Sequence, residues 1–200
     1  MKRRTLDLFF SVGGVALAAL LLILSLVLKN NADFAKSYVK DQMVAQRINF
    51  TPVAGLDDTE KKADCLVKNA GKPLASGRQA ECYSNKYIAY HLSEVNGGKT
   101  YSETSGAARA ARGAATDAAA RKDPKAEELN ATATALEGKV QTLFRGETLR
   151  GLLLTSYGFS VFGERANQAF IVSLLAALVL LLASIAGFIH YRRTAPEATV

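Results

Sequence analysis

From Leu8 to Leu28 the chain carries no charged residue, and from Ala166 to Tyr191 it again carries none. Between these runs the apolar positions recur in short stripes at helical spacing. About 20 apolar residues in a helix cover the roughly 30 Å hydrocarbon core of a bilayer, so both long runs predict transmembrane helices. The first is 21 residues long and is followed by Lys29-Asn30-Asn31 with no close A-x-A site. A cleavable signal sequence has an apolar region of about 7–15 residues. The first run is therefore read as a retained signal-anchor rather than a cleaved leader.

No Gly or Pro stops the first helix at its far end, and Phe34, Ala35, Tyr38, Val39 and Met43 continue a helical stripe towards Gln46. Phe50-Thr51-Pro52 breaks it. Asp57-Asp58-Thr59-Glu60 reads as a helix start with acids in its first turn, carrying Cys65, Leu66 and Val67 and ending near Gly71-Lys72-Pro73. Ser76 is a candidate N-cap for a helix over 78–95, which Asn96-Gly97-Gly98 ends. The alanine-rich stretch 100–122 predicts a thin-sided helix. Asp123-Pro124 opens another that nothing but isolated glycines interrupts before the second apolar run. No segment alternates with period 2 and there is no repeat. The pattern predicts an all-α membrane protein, two transmembrane helices in a hairpin with a helical extracytoplasmic bundle.

Charge orients the hairpin. Lys2, Arg3 and Arg4 precede the first run, and Arg192 and Arg193 follow the second. Positive flanks favour the cytoplasmic side, and two spans satisfy both ends. The expected layout is a cytoplasmic N-terminus 1–7, spans 8–28 and 166–190, an extracytoplasmic domain 29–165 and a cytoplasmic tail 191–200, in a bacterial inner (cell) membrane. The formal charge of +7 loses its nucleic-acid meaning once divided this way. Five of the 25 basic residues and two of the 18 acids, Asp7 and Glu197, lie at the ends, which leaves the central segment at about +4 with no dense basic block. Weak attraction to anionic lipid or polymer remains; the expected partners are membrane lipids and other membrane subunits or a second copy, and not nucleic acid.

Both cysteines, Cys65 and Cys82, fall in the external segment, where oxidising conditions let a disulfide persist; two unpaired buried thiols are the alternative. Catalytic chemistry is hard to assemble. His91 and His190 are the only histidines, and the layout puts a membrane thickness between them, so they share no metal. His91, beside Tyr90 and Leu92, reads as a packing or hydrogen-bonding residue. There is no G-x-S-x-G elbow and no phosphate-cradling glycine pattern. Asn49-Phe50-Thr51 and Asn130-Ala131-Thr132 match a short glycosylation sequon. Neither span has an internal ionisable group of the kind that ion pathways use, since Asp7 and His190 lie near the ends. No catalytic residue, metal or cofactor is expected.

Three stretches carry a likeness: Leu74–Tyr83 running on to Tyr87–Leu92, Gly98–Ser105, and Gly146–Leu154 with the aromatics after it. Set between two spans, this arrangement resembles a family of small two-pass actinobacterial membrane proteins, mostly of unknown function. Some members carry a label as aromatic ring-opening dioxygenases. The resemblance implies the two-span architecture and supplies no catalytic residues. A non-haem iron triad needs two histidines and a carboxylate together, which this chain does not assemble by itself.

Gly151 to Gly163, GLLLTSYGFSVFG, is uncharged and rich in aromatic residues. Its 13 residues reach about 20 Å as a helix, too short for a third span. One reading packs Leu149, Leu152, Leu153, Tyr157 and Phe162 on the extension of the first helix. However, the apolar positions wrap nearly all round, and small residues here permit close helix approach. The second reading makes part of Gly151, Leu152, Leu153, Ser156, Tyr157, Gly158, Phe159, Ser160 and Phe162 an interface to a partner, another copy or lipid headgroups. The expected function is a non-enzymatic accessory or scaffold subunit of an envelope membrane complex, or a homo-oligomer. The alternative is an extracytoplasmic binding or sensing module for a lipid, cell-wall or small-molecule ligand, with Tyr83, Tyr87, Tyr90 and Tyr101 lining its site.

Overall fold

A computed structural model describes residues 2–195 and 197–199; Met1, Pro196 and Val200, which belong to the two terminal segments, lie outside the described residues. Every named element is helical. Helix α1 covers Arg3–Ala45, and two 3-10 turns follow at Val53–Gly55 and Glu60–Lys62. Then come α2 (Asp64–Asn69), α3 (Gly77–Cys82), a π-helical segment (Tyr83–Ile88), α4 (Ala89–Val95), α5 (Tyr101–Ala120) and α6 (Ala126–Arg193). Among the described residues the strand-like pairings are isolated bridges, Lys2 with Thr199 and Asn49 with Pro73. Helices α1 and α6 are each long and apolar enough to cross a membrane. The chain divides into two compact units, 1–38 with 160–200, and 39–159.

In the first unit α1 and α6 run antiparallel. Asp7 meets His190 at 2.8 Å, and further along Ser173 Oγ donates to the Leu21 carbonyl at 2.9 Å. The seam between the helices is built from small side chains. Ser11, Ala18, Ser25 and Ala32 of α1 are buried at intervals of seven, against buried Ser173, Ala177 and Ser184 of α6. The seven-residue interval holds one face of each helix on the other, and small residues there let the backbones approach. At Gly163 an added Cβ would stand 2.7 Å from the Ala35 Cβ, and at Gly14 and Gly187 it would crowd the Ser184 and Ser11 hydroxyls. The large apolar side chains point the other way: Leu20, Ile23, Leu26, Val172, Val179 and Leu182 are all exposed.

The second unit has a conventional core of Val39, Met43, Phe50, Leu56, Leu66, Leu74, Leu92, Leu143 and Leu153. The segment after α1 pairs with the loop before α3. Phe50 N–H donates to the Lys72 carbonyl at 2.9 Å, and Leu74 N–H to the Ile48 carbonyl at 2.8 Å. The single helix expected from Asp57 to Gly71 is not formed. Glu60 folds back so that its Oε2 accepts from the Asp57 N–H at 2.9 Å, while Asp57 Oδ1 accepts from the Glu60 N–H at 2.7 Å. This reciprocal cap closes a 3-10 turn; Ala63 is then extended (φ −89°, ψ 95°) and α2 starts afresh. Ser76 caps α3 as expected, its side chain accepting from the Gln79 N–H. Gly97 and Gly98 end α4 at φ 59° and 79°, left-handed values that glycine adopts freely. A capping box between Thr100 and Glu103 starts α5.

In the second unit α6 is tied to both α5 and α4. Arg112 of α5 grips Glu137 through Nε at 2.8 Å and Nη2 at 2.6 Å, and that hydrogen bonding holds the Glu137 carboxyl below its usual range. At Gly146 the Leu92 side chain of α4 occupies the space a Cβ would need. The isolated glycines of α6 leave it unbroken, as expected.

Candidate functional site

The disulfide joins Cys65 of α2 to Cys82 of α3, with the Cα atoms 6.1 Å apart. Immediately after Cys82 the helix widens into the π segment, which the helical spacing of Tyr83, Tyr87 and Ile88 did not reveal. The widening has a visible partner. Arg150 Nε of α6 donates to the Ser84 carbonyl, and Ser84 Oγ donates back to the Arg150 carbonyl, both at 3.3 Å. Ser84 is fully buried. A π turn of this kind accommodates an extra contact at the cost of regular hydrogen bonding.

Along this helix Tyr83 and Tyr87 stack at 4.8 Å between ring centroids. Phe50 meets the first edge-on and His91 meets the second edge-on. Burial pushes the Tyr83 phenol above its ordinary pKa. Tyr90 hydrogen-bonds Asp57, which raises the Tyr90 phenol, and the Glu60 N–H on Asp57 is the main reason that carboxyl is lowered. Next to it, His91 Nε2 lies 3.0 Å from Oε1 of Glu60, whose side chain is only 4% exposed. Tyr90 and His91 thus latch the 57–60 turn onto α4. Sequence reasoning missed this latch; its signal is the Asp57-x-x-Glu60 spacing of a reciprocal cap, which frees one Glu60 oxygen for His91. Two residues on, Ser93 Oγ donates to the Tyr90 carbonyl at 2.6 Å. Among the described residues no three His, Cys, Asp or Glu side chains converge to hold a metal ion.

Three of the four candidate ligand-lining tyrosines, Tyr83, Tyr87 and Tyr90, are therefore gathered on one helix, half-buried in packing and hydrogen-bonding roles. Tyr101 stands apart at the start of α5, with its ring 5.9 Å from Phe144. A cleft of about 510 Å³ does lie beside the disulfide, but its walls are Cys65, Lys68 and Asn69 on one side and Ser76, Arg78, Gln79 and Cys82 on the other, with Tyr157 at its edge. Within it Gln79 and Asn69 bond to each other at 3.1 Å.

The anchoring of Arg150 fixes which face of α6 turns inward within the 39–159 unit. Leu143, Gly146, Arg150 and Leu153 are spaced by three, four and three and point inward; Leu143 and Leu153 are buried. Leu153 therefore belongs to the core. On the opposite side Phe144, Leu152 and Phe159 are exposed, Leu152 by 63%. Phe162, on the part of α6 in the paired-helix unit, is 75% exposed. The intrachain packing expected for Leu149, Leu152 and Phe162 is thus not what holds them. The hydroxyls on this part of α6 are turned inward onto the helix: Thr148 Oγ1 donates to Phe144 O, Thr155 Oγ1 to Gly151 O and Ser156 Oγ to Leu152 O, at 2.7, 2.8 and 3.1 Å. They need no water to be satisfied. Gly151 and Gly158 have nothing within 4 Å of an added Cβ. Tyr157 and Ser160 are half-buried.

No family model matches the chain, and neither a curated protein nor a solved structure is similar to it.

Proposed function

We propose that the chain is a two-span membrane hairpin acting as a non-enzymatic accessory or scaffold subunit, joined to another membrane-held chain, a second copy or a different subunit, through the outward face of α6. One observation carries this reading. Leu152 stands exposed by 63% on a helix whose neighbouring hydroxyls, Thr155 and Ser156, are already satisfied by its own carbonyls. Such a surface gains by losing water and demands no polar partner in exchange. The membrane assignment is supported by the first unit, where small and hydroxyl residues fill the seam and Leu, Ile and Val face outward. A helix pair in water would bury the larger groups; in hydrocarbon there is nothing to gain by hiding them. With the basic ends cytoplasmic, the disulfide-bearing unit lies outside, where the bond is stable. The cleft beside the disulfide is where the alternative, a binding or sensing module, would take a ligand.

Assembly is the test. In mild detergent the native chain should run as a defined complex, and Gly158→Leu or Leu152→Ser should weaken it at least tenfold while membrane insertion is unchanged. Neither substitution harms the isolated chain: Gly158 borders open space and Leu152 is exposed. Ser156→Leu, one turn on from Leu152, should act alike. A wild-type chain that purifies as a clean monomer, or variants that assemble normally, would defeat the proposal.

A further inference from the structure

The terminal end of the paired-helix unit collects five cations, and the structure shows how they are deployed. Lys2, Arg3, Arg192 and Arg193 are exposed, and no ion pair is formed by any of them among the described residues. Arg4 is held differently. Its guanidinium lies 4.5 Å over the Tyr191 ring, and its Nε is buried without a hydrogen-bond partner among the described residues. A buried donor left unmatched is uncommon and points to a group that would match it.

The acid nearest in sequence, Asp7, is engaged elsewhere. Asp7 Oδ2 lies 2.8 Å from His190 Nδ1, and Thr194 Oγ1 lies 3.3 Å from that same nitrogen. Glu197 is exposed on the returning tail, whose Ala198 carbonyl accepts from the Arg3 N–H at 3.1 Å. That contact brings the two termini to one place. The surface beside the cations is strongly apolar: Phe9 and Phe10 are 72% and 70% exposed.

We propose that this end is a binding site for the phosphate of an anionic phospholipid. The inference rests on the membrane reading above. A guanidinium presents paired donors that match phosphate oxygens, and the Tyr191 ring 4.5 Å from the Arg4 guanidinium supports it. Arg192 and Arg193 supply the surrounding positive field, and Phe9 and Phe10 offer a wall for acyl chains. That wall is why a lipid phosphate rather than free phosphate is the fitting ligand. A zwitterionic headgroup brings its own cation to the same place and is disfavoured.

The test uses the purified full chain in detergent, titrated with phosphatidylglycerol or phosphatidylcholine, with bound lipids counted by native mass spectrometry. Wild type should retain phosphatidylglycerol preferentially. Each cation removed should weaken that retention about fivefold. Arg4→Gln tests the anchored guanidinium, and Arg192→Gln with Arg193→Gln tests exposed groups whose loss cannot unfold the helix pair. Phosphatidylcholine retention should not change. Equal retention of the two lipids by wild type, unchanged retention by the variants, or full displacement by millimolar inorganic phosphate would overturn the proposal. Failure of the chain to enter neutral phosphatidylcholine vesicles is a separate result that would overturn the membrane reading itself.

Discussion

Phe50→Ala should destabilise the 39–159 unit by about 3–5 kcal/mol, the range for truncating a fully buried aromatic residue. Phe50 is 2% exposed and meets the Tyr83 ring edge-on at 5.3 Å. It sits in an irregular segment, with its backbone bonded on both sides: its N–H donates to Lys72 O, and its carbonyl accepts from the Gly71 N–H at 3.1 Å. The backbone pairing therefore survives the substitution, while the ring's place stays empty. The cavity would open directly under the stacked tyrosines. Denaturant unfolding of the full chain in detergent, followed by tyrosine fluorescence since the chain has no tryptophan, measures the loss. A change below about 1 kcal/mol would show that the ring is not held in the core.

Removing the disulfide should cost nearly as much. The bond closes a loop across 17 positions, and the chain-entropy relation gives about 3 kcal/mol for a loop of this size. It also ties α2 to the helix that carries the π segment, so the latch formed by Glu60 and His91 should loosen with it. Cys65→Ala with Cys82→Ala, and separately reduction of the wild-type chain, should lower stability by similar amounts in the same denaturant assay. Oxidised and reduced chains that unfold together would remove the bond from any stabilising role. Cys82 is 2% exposed, so alanine is the replacement that leaves no unmatched polar group there.

What the sequence made legible follows from local rules. The two apolar runs, the Ser76 cap, the alanine-rich helix and the Gly97-Gly98 stop are each written in a few neighbouring residues, and each is where it was expected. The cysteine pairing was legible too, because only one pair exists. The π segment was not, since it answers to Arg150, 66 positions away from Ser84. The break at Ala63 was hidden for a related reason: Asp57 and Glu60 look like a helix start, and the carboxylate that turns back on its own cap is committed to His91 on another helix. Of the four tyrosines grouped from the sequence, Tyr83, Tyr87 and Tyr90 share one helical stretch while Tyr101 stands on α5, and stacking and hydrogen bonds with distant partners such as Phe50 and Asp57 are not written in local spacing. Within Gly151–Gly163 the composition did not say which residues face out; Leu153 is buried and Leu152 exposed, in register with Arg150 on Ser84. The small-residue seam of α1, Ser11, Ala18, Ser25 and Ala32 at intervals of seven, was not read from the sequence, because the leucines between them dominate the hydropathy.

The account depends most on the two apolar helices spanning a membrane with the disulfide-bearing unit outside. A protease site inserted in the Gly97-Gly98 turn, in a full chain tagged at both ends and expressed in bacterial cells, tests this directly. Protease added to spheroplasts should cut at that turn and leave both terminal tags intact, and both fragments should stay in the membrane pellet through alkaline carbonate washing. Digestion of either tag with the turn protected, or release of the chain by carbonate, would contradict it.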